Sequence, residues 1–158
     1  MRNRRGSMTL ETAMLIPVIV LLLVGMTQIA KFTYTYVELR KVVNSVASYL
    51  ASQPGVDFCS ATDSTVSNAK NFGLTGTTDN SLPVFINGLT TDMIEIVPES
   101  YDPQTGFTPL DCGGASGGVQ PNFISVSIKG YTLQPRIPFL PIDAIPLQPQ
   151  MKVPFGGV

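Results

Sequence analysis

The chain has 158 residues, 44% of them apolar and only 13% charged, with a formal net charge of −1. That length allows one modest core plus an anchor, and the charged share is well below the roughly 25% of an ordinary soluble domain, so part of the chain is expected in lipid or in a packed assembly. A near-neutral balance excludes nucleic acid as a partner, which needs a basic face, and the lack of histidine removes Ser-His-Asp and Cys-His catalysis and most zinc sites.

Residues 1–6 read as a short basic leader carrying Arg2, Arg4 and Arg5. It is too short to hold the apolar core of a secretory signal peptide. From Ala13 to Met26 the sequence is apolar throughout, interrupted in hydrogen bonding by Pro17 and in size by Gly25. A helix over about 8–30 is long enough to cross a hydrocarbon layer of roughly 30 Å. The arginines flank one end, and Lys31 is the sole base just past the other. The positive-inside rule therefore predicts a single-pass protein with a cytoplasmic N-terminus and the remainder outside.

The helix is predicted to continue beyond the span. Phe32, Tyr36, Leu39, Val43, Val46 and Leu50 recur at steps of three or four, opposite Lys31, Thr35, Glu38, Lys41, Ser45 and Ser48. Glu38 and Lys41 are spaced to pair. Gln53-Pro54-Gly55 should end this amphipathic part, because Pro54 cannot continue a helix and Gly55 permits a turn. The expected layout is a helix over 7–53, amphipathic over 31–52, followed by a head over 54–158.

In the head, Ser64 to Phe72 suggests a short helix. Met93 to Val97 and the alternating Phe123 to Lys129 predict strands, with Leu82 to Ile86 a weaker candidate. A small antiparallel sheet packed on the amphipathic half of the helix would bury both apolar faces, giving an α+β fold. The stretch Tyr131 to Phe155 holds six prolines among apolar residues, which rules out a central strand. It must lie against the domain core, the membrane or a neighbouring subunit. Cys59 and Cys112, the only cysteines, stand about 50 residues apart and read as one disulfide in an oxidising space. The glycine-rich run after Cys112 lacks the Lys-Ser/Thr pair of a phosphate loop. The acids show no calcium-loop spacing. No metal, cofactor or catalytic set can be read, so the chain is expected not to be an enzyme.

The most informative residues are Gly6 and Glu11. A cut after Gly6 would make Ser7 the first residue and Glu11 the fifth. An isolated carboxylate in lipid is costly. It becomes tolerable if it meets the new α-ammonium of a staggered neighbour, and that pairing would set an axial register. The alternative is a first-turn acid near the headgroups, favoured by the helix dipole. Pro17 removes one helix hydrogen bond, and reads as a kink or as an ordinary membrane proline.

These residues resemble the N-terminus of the type IV pilin superfamily: a basic leader, Gly6, then Thr9-Leu10 before Glu11. The order Gly6, Glu11, Ala13, Pro17 is similar to TadE-like minor pilins (pseudopilins) of the tight-adherence, or Flp-type, pilus. Ser7 and Thr12 depart from the usual pattern, which has bulkier apolar and aromatic residues there. The resemblance implies processing by a prepilin peptidase between Gly6 and Ser7, with Glu11 used in assembly. It also implies partners among other pilin subunits, the pilus-assembly platform and inner-membrane lipid, in adhesion and biofilm formation. The competing reading is an unprocessed single-pass protein whose ectodomain binds a ligand or partner.

Overall fold

The computed structural model describes residues 4–60, 63–110, 120–135 and 142–156, with side chains from residue 11 onward. Cys112 and the glycine-rich run after it lie outside the described residues. The chain divides into two compact units, one of Met1–Tyr34 with Leu133–Ile145 and one of Thr35–Thr132 with Pro146–Val158. We call the second unit the head.

Helix α1 runs from Arg4 to Ala51 without a break, with Pro17 inside it. It ends as Ser52 and Gln53 donate backbone bonds to the carbonyls of Tyr49 and Leu50, a tightened last turn, before Pro54 stops propagation. Its second half buries one stripe. Leu39, Val43, Val46, Ala47 and Leu50 are fully buried, whereas Arg40, Lys41, Asn44 and Ser48 are exposed. The buried stripe begins at Leu39 and not at Phe32, because Phe32 belongs to the other unit and Tyr36 is exposed. Glu38 and Lys41 pair across one turn at 2.7 Å.

Helix α2 spans Ser64–Thr75, three residues longer than Ser64 to Phe72. Asp63 starts it by accepting from the N–H groups of Thr65 (2.6 Å) and Val66 (3.3 Å). Gly76 ends it in the left-handed conformation, its N–H bonded to the Phe72 carbonyl at 2.8 Å. Gly73 lets α2 approach α1 closely, since a Cβ there would collide with Val46 Cγ2. Tyr49 and Phe72 meet across the same contact, ring centroids 5.3 Å apart.

The sheet has four antiparallel strands in the order β2-β1-β3-β6. They are β1 (Ile94–Asp102), β2 (Gly106–Pro109), β3 (Phe123–Ile128) and β6 (Gln150–Pro154), while β4 (Thr132–Leu133) pairs with β5 (Ile145–Pro146). The alternation in β3 sets the faces. Ile124, Val126 and Ile128 are fully buried, opposite Pro98, Ile96 and Ile94 of β1. Met151 and Val153 of β6 oppose Val126 and Ile124 on the other side. This face and the Leu39–Leu50 stripe supply most of the apolar core of the head. The architecture is α+β.

One local expectation fails. Leu82 to Ile86 forms no strand: Leu82, Val84 and Phe85 are exposed, and Phe85 N–H bonds the α2 carbonyl of Leu74 at 3.0 Å. Pro83 has no donor to give a ladder. The proline-rich end supplies no central strand, as expected, and contributes only at a sheet edge. Its last segment is β6, placed at an edge, where Pro154 at the strand end costs little.

Candidate assembly helix

The first half of α1 is a helix whose side chains meet little of their own chain. Met14, Leu15 and Ile16, and every residue of the run Val18 to Leu23, are more than half exposed. Burying one such side chain is worth roughly 1.5–3 kcal/mol, so leaving this many in water would be prohibitive. The surface calls for a covering of lipid or of neighbouring helices. Glu11 to Ala30 is twenty residues of helix, a length of about 30 Å. This is one helix long and apolar enough to cross a membrane, with mean hydropathy 2.4 in its most apolar stretch.

Polar groups along it are handled locally. Thr27 Oγ1 donates to the Val24 carbonyl at 2.8 Å, and Thr33 Oγ1 to the Ile29 carbonyl at 3.0 Å. Each hydroxyl proton is thus satisfied by the helix itself, which removes most of its desolvation cost. Pro17 has no N–H, so the carbonyl of Ala13 loses its usual helical donor. The helix nevertheless continues through it, as neighbouring turns hold the geometry.

The predicted site residues fall on this element as follows. Gly6 and Ser7 are helical in backbone. Glu11 is exposed at the N-terminal end of the apolar run. Pro17 lies nearly two turns further in. Cys59 is in the loop after α1, exposed, and no free cysteine occurs among the described residues.

Sequence reasoning left the position of the proline-rich segment open. Within the first unit, Leu133, Pro135, Ile142 and Ile145 line a cavity of about 330 Å³ together with Gly25, Ile29 and Phe32 of α1. Of that segment, the described residues 133–135 and 142–145 therefore lie along the C-terminal end of the apolar run. Its apolar composition was visible in sequence, but its register on the helix was not.

Residues 6–48 match the family model described as TadE-like protein. The match begins at Gly6 and ends three residues before the end of α1. Over these residues the N-terminal helix is similar to that of TadE-like proteins. No curated protein and no solved structure matches the chain. The TadE-like match covers the exposed apolar half of α1 and most of its buried stripe, and it stops short of α2 and the sheet. The matched residues include the part of α1 that is long and apolar enough to cross a membrane.

Proposed function

We propose that this TadE-like chain is a pilin-like subunit or assembly factor of a tight-adherence pilus, held in the bacterial inner membrane by α1 with its N-terminus cytoplasmic. A prepilin peptidase cuts between Gly6 and Ser7, and the mature helix joins other pilin subunits through its apolar face. Glu11 pairs with the α-ammonium of a staggered neighbour and sets the axial register. The head then stands outside the membrane, in adhesion and biofilm formation. The observation that carries this reading is the coincidence of two boundaries. The family match starts at Gly6, and five residues later an exposed carboxylate opens a helix half whose apolar side chains have no cover from the chain itself. A Cys59–Cys112 disulfide in the head is part of the proposal, supported by the lack of a free cysteine among the described residues and by the presence of one other cysteine in the chain.

N-terminal sequencing of the protein from cells with an active prepilin peptidase tests it. Ser7 is expected as the first residue, and Gly6→Ala should leave Met1 in place. An intact Met1 in the parent protein would favour the unprocessed single-pass reading. Glu11→Gln should insert in the membrane normally yet fail to co-purify with sheared pili or the assembly platform. Undiminished co-purification would remove the charge-pairing role.

A further inference from the structure

Within the first unit alone, the apolar run of α1 changes character before it ends. From Glu11 to Leu23 every residue is exposed. From Val24 onward one face is covered. Val24, Gly25, Gln28 and Phe32 are half-buried, at steps of three or four from Gly25, while Met26, Thr27, Ile29 and Ala30 stay exposed. The described residues that face this stretch are those of the proline-rich segment, whose two ends, Leu133 and Ile145, are held side by side by the β4–β5 pair.

Helix and segment do not pack to closure. Between them lies the cavity of about 330 Å³, with Gly25, Ile29 and Phe32 on one side and Leu133, Pro135 and Ile145 on the other, within the size range of ligand sites. Apolar side chains make most of its wall, so water gains few partners there. Gly25 keeps the helix side low, since a Cβ at that position would meet no atom within 4 Å. One turn of helix with its side chains fills about 420 Å³, more than the space holds. A chain one methylene wide fits where a neighbouring helix does not.

Position and charge narrow the occupant further. The run from Glu11 to Ala30 is about 30 Å of helix, so Gly25 to Phe32 stands where a hydrocarbon layer gives way to headgroups. Lys31 also lines the cavity and is the one charged residue among its described lining, whereas Asp143 of the facing segment does not line it. A lysine at such a boundary lays its stem along apolar surface and keeps its ammonium among the headgroups. An apolar slot with a cation at its outer end suits a molecule made of a hydrocarbon chain and a phosphate.

We propose that this cavity holds one acyl chain of a membrane phospholipid, with the Lys31 ammonium at the lipid's phosphate. The proposal rests on the reading of α1 as a membrane helix and is independent of processing and of Glu11.

The test uses the full chain in nanodiscs of phosphatidylcholine and phosphatidylglycerol, with a phosphatidylglycerol probe that carries a diazirine midway along one acyl chain. After photolysis, mass spectrometry maps the labelled residues. Label is expected on residues 14–23, from the surrounding lipid, and on residues 133–135 or 142–145. Gly25→Leu fills the space and should lower the second labelling about tenfold, as roughly two methylenes of the chain are displaced, while the first stays unchanged. Gly25→Ala, with about a fourfold loss, replaces it if the leucine variant inserts poorly. Lys31→Gln should lower the second labelling about fivefold, and no effect there would overturn the phosphate assignment. Label on 14–23 with none on the facing segment would overturn the site and leave the membrane reading standing. No label on either would overturn both. Label on the facing segment that the Gly25 variants do not lower would place the lipid outside the cavity and overturn the site.

Discussion

Asp63 shows how one side chain can fix an element. Burial pushes its carboxyl up, but backbone bonds from Thr65, Asp57 and Val66 and a side-chain bond from Thr65 outweigh that and hold it below the usual aspartate value. Asp63→Ala leaves the first N–H groups of α2 unsatisfied and should cost about 1 kcal/mol in denaturant unfolding. Glu95 is also held down, first by the hydrogen bond from Lys129, against a smaller upward push from burial. For both groups the folded value is lower than the unfolded one. Their stabilisation is complete above the ordinary carboxyl range and disappears as pH falls through the folded values. The thermal midpoint of the head should therefore drop on acidification below about pH 4, and Glu95→Gln should make that drop shallower. Asp63 could be recognised as a cap from Asp63 and Ser64 preceding a helical run. The Glu95–Lys129 pair could not, because it joins residues from two strands whose register only the fold supplies.

Helix α1 is one element with two environments. Leu50 is fully buried in the head and Leu21 is 57% exposed, although both are leucines of the same helix. Leu50→Ala should destabilise the head by about 2–5 kcal/mol through transfer and cavity terms. Leu21→Ala should change the same head transition by less than about 0.5 kcal/mol, measured on the full chain in nanodiscs. Equal effects would mean that the two halves unfold together. The change from an all-apolar run to a period of three and four marks this division in the sequence, at Lys31. The structure delays burial to Leu39, since the intervening Thr33, Tyr34, Tyr36 and Val37 stay exposed. Among the strands, β3 was legible because one buried face and one polar face force strict alternation. β6 was not, because Pro149 and Pro154 read as strand breakers until the segment is placed on an edge.

At the scale of the molecule, the apolar half of α1 and the head fall in separate compact units, and the proposed disulfide belongs to the head. If Cys59 and Cys112 are joined, loop closure should contribute about 4 kcal/mol. Reductant, or Cys59→Ser, should then lower the denaturation midpoint of the head while leaving membrane insertion unchanged. Full-length chain whose electrophoretic mobility is the same with and without reductant would count against the bond.

The sequence by itself determined the long helix, its apolar first half, and the Gly6, Glu11 and Pro17 order, which lies within the TadE-like match. These are local properties: period, composition and spacing along one continuous element carry them without reference to anything distant. Only the tertiary structure decided that the proline-rich end supplies an edge strand, that Gly73 is a contact point between two helices, and that Glu95, Ser127 and Gln150 line one cleft. Each of these depends on strand register or helix approach between residues far apart in the chain. Hydrophobic pattern decides which face is buried, but not which neighbour will lie beside it.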